Sequence, residues 1–133
     1  EGFSWPGVAR GRVPPHPACL YRREVILRLG GGYESGFGLA ADTACTLRVA
    51  ALGEVVFLPR VVVVFQLDGV SSRFEWSWRV HREKARAICA VAPAWVGRRY
   101  RWRWPVEALR ATAAHCLRRA GLLPLWRRIK RVF

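Results

Sequence analysis

Methionine is absent from all 133 residues and the first residue is Glu1, so the chain is expected to be a piece of something longer. Acids are scarce as well: nine Asp+Glu stand against 23 Lys+Arg, which leaves a formal charge of +14. Long apolar runs are missing. The longest stretch without Asp, Glu, Lys or Arg is Ala87 to Gly97, well short of the roughly 18 apolar residues that a spanning helix needs. No charged and then apolar leader opens the chain, so a cytoplasmic location is expected, peripheral at the inner face of the cell membrane if the basic end binds lipid. Cys19, Cys45, Cys89 and Cys116 never form a C-x-x-C pair, which removes the zinc and redox patterns. His16 with Cys19, and His115 with Cys116, nominate two ligands each where a structural site needs four, so no metal site is expected.

What is present can build a core. Hydrophobic residues make up 52% of the chain and there are seven tryptophans, which excludes a disordered basic tail for most of its length. Pro14, Pro15 and Pro17 disfavour helix and predict extended backbone running into a strand at Ala18 to Tyr21. A short helix is predicted from Arg23 to Leu29, stopped by Gly30, Gly31 and Gly32 because glycine accepts the left-handed conformation. Ala40, Ala44, Leu47 and Ala51 recur at helical spacing and predict a helix to Leu52, with Gly53 as its stop.

Val55 to Leu58 and Val61 to Leu67 read as two strands divided by Pro59 and Arg60. Asp68-Gly69 turns the chain, and Ser71 or Ser72 is placed to cap a helix, with Glu75 closing the capping box. In that helix Phe74, Trp78, His81, Ala85, Ile88 and Ala92 form an apolar stripe, and Glu75 with Arg79 gives an exposed pair. From Trp95 to Phe133 there are eleven Lys+Arg and one acid, Glu107, so +10 of the charge lies there. Pro105 is expected to open a helix to about Ala120, and Pro124 a final short one.

Asp42 lies at the front of its helix, after the flexible Gly36-Phe37-Gly38 stretch, where the dipole favours a carboxylate. So placed, it suits a general base toward an alcohol, or simply a helix cap. His16, between prolines, fits a phosphate or sugar contact or an ordinary hydrogen-bonded role; His81 falls on an apolar stripe and reads as core. Gly30-Gly31-Gly32 lacks the Lys-Ser/Thr of a phosphate loop, and Ser71 and Ser72 have no hydrolase elbow. Arginine interleaved with Trp95, Trp102, Trp104 and Trp126 suits an anionic membrane surface over 95–133. Nucleic acid is the weaker fit, since no binding-module signature occurs.

Read as one string, residues 14 to 72 resemble the C-terminal half of family 2 glycosyltransferases, inverting enzymes of GT-A fold that build bacterial polysaccharides and glycolipids. The pieces fall in the family's order: His16-Pro17 with Leu20-Tyr21-Arg22-Arg23-Glu24; Leu29-Gly30-Gly31-Gly32-Tyr33-Glu34-Ser35-Gly36-Phe37; Ala40-Ala41-Asp42 with Leu47-Arg48; Gly53 to Pro59; then Val61 to Phe65 and Gly69-Val70-Ser71. Thr43-Ala44, Gln66 and the residue before Glu34 depart from the usual pattern.

The resemblance implies an α/β chain: an incomplete GT-A-like domain (1–72, the acceptor side), a packing helix (73–94) and a basic amphipathic helical tail (95–133). It implies Asp42 as the catalytic base that deprotonates an acceptor hydroxyl, with His16 and Arg48 on the substrate side, Arg48 chiefly supporting its helix. The implied partners are a nucleotide-sugar donor and a glycan or lipid-linked acceptor. The nucleotide-binding half and its D-x-D segment have no counterpart in the sequence. The implied divalent cation, Mn²⁺ or Mg²⁺, therefore belongs to a longer parent, and this chain alone is expected to hold none and to be inactive. The alternative is a non-enzymatic basic module for a membrane surface or nucleic acid, with Asp42 and His16 purely structural.

Overall fold

The computed structural model describes residues 2–64 and 74–122. Five α-helices and one 3-10 turn follow in order: α1 (Trp5–Ala9), the turn His16–Ala18, α2 (Arg23–Arg28), α3 (Ala41–Leu52), α4 (Phe74–Val91) and α5 (Ala94–Arg119). No strand occurs among the described residues, which overturns the expected α/β GT-A-like sheet. Val55 to Leu58 run without a ladder, and Val56, Val61 and Val64 are 70%, 87% and 88% exposed. A strand exists only as a partnership, because its N–H and C=O groups need a neighbouring ladder. These segments find none among the described residues, despite their β-branched composition.

The expected strand at Ala18 to Tyr21 is likewise replaced: the 3-10 turn closes through Ala18 N to Pro15 O (2.9 Å) and Cys19 N to His16 O (3.0 Å). Proline's fixed φ is compatible with a tight turn as well as with extended chain, and the turn has local bonds where the strand had no partner. The expected Asp68-Gly69 turn, the expected Ser71 and Ser72 caps and the helix expected after Pro124 fall in residues 65–73 and 123–133, outside the described residues.

The glycine stop places α2, and helical spacing places α3, each within one residue of the expected ends. Leu29 caps α2, and Gly30, Gly31 and Gly32 hold φ of +80°, +91° and +128°, conformations that need glycine. The α1 helix lacks a sequence expectation, yet its cap is plain. Ser4 accepts a bond from Gly7 N (3.2 Å), and Pro6 sits in the first turn, where its missing N–H costs nothing. α1 then buries Val8 and Ala9.

α4 and α5 form an antiparallel hairpin, because three contacts step down α4 as they step up α5. Cys89 faces Gly97 at the turn, Lys84 lies 5.9 Å over the Tyr100 ring, and Trp78 meets Trp104 edge-on at 5.0 Å between centroids. A Cβ at Gly97 would stand 3.1 Å from the Cys89 backbone, so the close crossing depends on that glycine. Pro105, expected to open a helix, lies inside α5. It forfeits one ladder bond, but Tyr100 and Ala108 are fully buried on either side of it, and that burial carries the helix through. Gly121, with φ +71°, ends α5, and Leu122 N bonds back to Leu117 O at 2.8 Å.

The core joins α1, α3, α4 and α5 through Val8, Leu47, Ile88, Val96 and Tyr100, each with no exposed surface. Burying each of the aliphatic side chains among them contributes about 1.5–3 kcal/mol. His81 is partly buried, its Nδ1 without a partner among the described residues, and burial followed by Lys84 lowers its pKa below the usual imidazole value.

A smaller cluster of Ala40, Ala44 and Ala87 brings α3 close to α4, and Glu83 locks the approach. This carboxylate, 7% exposed, accepts from Leu39 N (2.6 Å) and from Arg79 Nε (3.1 Å). Arg79 is thus partnered by Glu83 one turn further along α4, while the expected pair with Glu75 involves a side chain outside the described ones. Burial pushes the Glu83 carboxyl up, but Arg79 and the Leu39 and Ala40 N–H groups outweigh it and hold the pKa low. A lowered folded-state pKa means this contribution is complete above the unfolded carboxyl value of about 4.3 and is lost as pH falls through the folded one. Urea midpoints measured from neutral to acid pH should therefore fall, and Glu83→Gln should cost about 1.5–3 kcal/mol at neutral pH with a shallower acid decline.

Candidate functional site

α3 presents Asp42, Thr46 and Arg48 from its first two turns, and the 3-10 turn, α2 and the glycine turn bring side chains to meet them. Asp42 is exposed, and Ala40, not Asp42, holds the N-cap position. Its Oδ1 accepts the Thr43 N–H at 2.6 Å, so the carboxylate does satisfy one first-turn donor while remaining open to solvent. The positive end of the helix dipole favours a negative charge there.

One turn later Thr46, 4% exposed, donates its hydroxyl to the Asp42 backbone carbonyl at 2.9 Å. That donation fixes the proton order of a chain of side chains behind Asp42. With its proton committed, Thr46 Oγ1 accepts from the Tyr21 hydroxyl at 2.7 Å. Tyr21 in turn accepts from His16 Nδ1–H at 3.0 Å, and Tyr33 donates to His16 Nε2 at 2.7 Å. Neutral His16 is thereby assigned the Nδ1–H tautomer. Burial, the leading effect, raises the Tyr21 pKa and keeps the phenol a donor. The His16 ring also stacks on Tyr21 at 5.5 Å and meets Tyr33 edge-on at 5.7 Å.

Both ring nitrogens of His16 are thus engaged by protein, and the chain ends on a carbonyl that cannot pass a proton onward. The arrangement positions; it does not relay. It holds the 3-10 turn and the glycine turn against the face of α3 that carries Asp42. Arg48 bonds Glu34 at 3.5 Å, a partly exposed pair that ties the same glycine turn to α3. His16 and Asp42 are therefore brought to one region through Thr46 without touching among the described bonds, and Arg48 faces Glu34. Tyr33 and Glu34 stood in the glycine-turn motif, and Tyr21 stood in the motif around His16. Thr46 stands in no motif, although its place four residues after Asp42 puts it on the same face of the helix.

Thr46→Val keeps the side-chain shape and removes the hydroxyl, leaving the half-buried Tyr21 O–H without its acceptor. The expected cost is about 1–3 kcal/mol in urea unfolding. In a Tyr21→Phe background the same change should cost less, because the orphaned donor is gone.

No group of three or more His, Cys, Asp or Glu side chains that could hold a metal ion converges among the described residues. The four cysteines are free. Among the described residues no helix is long and apolar enough to cross a membrane.

Comparison with known proteins finds a partial likeness in sequence to two uncharacterized glycosyltransferases. The chain is 35% identical over 68 residues to an uncharacterized glycosyltransferase of Mycobacterium tuberculosis strain CDC 1551 / Oshkosh, a match that covers 51% of this chain and 26% of that protein. The uncharacterized glycosyltransferase of strain ATCC 25618 / H37Rv matches to the same extent. The chain thus matches only about a quarter of the length of these curated relatives. No family model and no solved structure matches it. The likeness relates half of the chain to a glycosyltransferase.

Proposed function

We propose that this chain is the acceptor-side portion of an inverting family 2 glycosyltransferase, in which Asp42 is the base that activates an acceptor hydroxyl. The observation that carries the reading is the exposed Asp42 carboxylate on the first turn of α3, on a platform fixed by the Thr46, Tyr21, His16 and Tyr33 bonds. Its support from outside the fold is the likeness to the two mycobacterial glycosyltransferases.

In this reading the acceptor hydroxyl approaches Asp42, which takes its proton as the oxygen attacks the anomeric carbon of a nucleotide sugar. The nucleoside diphosphate leaves from the opposite face, so configuration inverts. His16, held by two tyrosines, positions the floor of the acceptor site, and Arg48 on the substrate side chiefly supports its own helix. The nucleotide-binding part, and Mn²⁺ or Mg²⁺ with it, is supplied by other parts of a longer protein, and the 133 residues alone do not transfer sugar.

The test is transfer from UDP-, GDP- and dTDP-sugars by the longer protein, by its Asp42→Asn variant and by the 133-residue chain alone. Turnover by the longer protein only, lost in the variant, supports the reading. Transfer by the 133 residues alone overturns the missing donor site, and an active Asp42→Asn variant overturns the base.

A further inference from the structure

The outer face of α5 carries an apolar stripe that the fold does not use. Trp95, Trp102, Val106 and Leu109 are spaced by seven, four and three residues, which places them on one side of a helix. They are 44%, 81%, 47% and 61% exposed. Beside the stripe, α1 and α5 enclose an open groove of about 400 Å³ whose lining includes Arg10, Arg99, Arg103 and Arg110 with Trp102 and Val106. Its one acid, Glu107, is already occupied by the Tyr100 hydroxyl at 2.7 Å and by Arg103 at 3.0 Å. Arg10, Arg99 and Arg110 have no ion pair among the described residues. The groove therefore presents three guanidinium groups that pair with no acid among the described residues.

We propose that α5 docks in the plane of an anionic lipid surface, with Trp102, Val106 and Leu109 seated at headgroup depth and Arg10, Arg99 and Arg110 holding lipid phosphates in the adjoining groove. Each part of the surface matches one part of that partner. An indole ring favours the headgroup level, and aliphatic neighbours favour the acyl boundary just beneath it. Guanidinium groups match phosphate oxygens in a forked, two-bond geometry. Nucleic acid would use the same arginines, but Val106 and Leu109 give a base nothing to stack on, which makes lipid the better partner. Arg10 matters most to the idea, since α1 lies far from the basic C-terminal sequence and joins the groove only through the fold. This inference goes beyond sugar transfer and does not depend on it.

The test is co-sedimentation of the 133-residue chain with vesicles of phosphatidylcholine alone and of an equimolar mixture with phosphatidylglycerol, at low and high salt. Binding is expected only to the mixed vesicles and weaker at high salt. Each groove arginine replaced by Gln should weaken it about fivefold, so Arg10→Gln/Arg110→Gln falls far below Arg22→Gln/Arg28→Gln, which removes the same charge elsewhere on the exposed surface. Trp102→Gln/Leu109→Gln should remove the binding that survives high salt, with unchanged circular-dichroism melting. Absence of vesicle binding, equal losses from the two arginine pairs, or binding to polyuridylate without binding to vesicles would each overturn the proposal.

Discussion

Under the proposed base role, replacing Asp42 with Asn in a longer protein that carries this chain should lower sugar transfer by about 10²–10⁴-fold, the range that a positioned general base contributes. The fall should lie in kcat, with donor binding and thermal unfolding unchanged. Asn keeps an Oδ1 acceptor for the Thr43 N–H that Asp42 now satisfies at 2.6 Å, and Asn is well tolerated at helix starts. Asp42 makes no other side-chain hydrogen bond or ion pair among the described residues, so the substitution removes basicity and little else. Glu34→Gln is the matched control. Glu34 is also an exposed carboxylate near α3, paired with Arg48 at 3.5 Å, and weakening so exposed a pair costs little. If both variants lose activity equally, electrostatics of the region and not proton abstraction explains the loss. If only Asp42→Asn does, the base is located.

How much of this was legible in the sequence depends on the range over which each feature is decided. α2 and α3 are local: apolar spacing sets their faces, and Gly30 and Gly53 end them. The residues Ala85 and Ile88 of the α4 stripe are buried as their spacing requires. The place of Asp42 in the first turn of α3 was readable because a helix start advertises itself. The strands were not, because Val55 to Leu58 and Val61 to Val64 have the composition of strands but depend on a neighbour, which composition does not report. Pro105 misled for a related reason. A local rule places proline in the first turn, yet Tyr100 and Ala108 anchor both flanks of α5 in the core, and tertiary burial outweighs one missing bond. The Thr46–Tyr21–His16–Tyr33 chain spans separations of 25, five and 17 residues. Only folding brings those residues together, so no motif could announce the order of its protons.

The same long-range logic concentrates at Gly11, where Gly11→Ala should destabilise the fold by about 2–5 kcal/mol. Two penalties act together. Gly11 has φ +81°, where a side chain costs about 1–2 kcal/mol. A Cβ there would also land on the Glu107 carboxylate, clashing with Oε1 and standing 2.8 Å from Cδ. Glu107 cannot yield freely, because Oε2 accepts from the fully buried Tyr100 at 2.7 Å and Oε1 from Arg103 at 3.0 Å. Burial first, and the Glu107 charge after it, raise the Tyr100 pKa, so the phenol stays protonated and needs its acceptor. Stranding that hydroxyl adds about 1–3 kcal/mol. The Gly11 carbonyl is itself held by Lys84 Nζ at 3.2 Å, which leaves the backbone little room to move instead. Gly121→Ala separates the two penalties, since Gly121 shares the positive φ, +71°, but a Cβ there meets nothing within 4 Å. Urea unfolding should therefore show a loss of about 1–2 kcal/mol for Gly121→Ala and a larger one for Gly11→Ala. In a Tyr100→Phe background the excess should shrink, because no buried hydroxyl remains to strand. Equal losses at the two glycines would mean that Glu107 moves aside at no cost and that the Tyr100 bond does not fasten α1 to the α4–α5 hairpin.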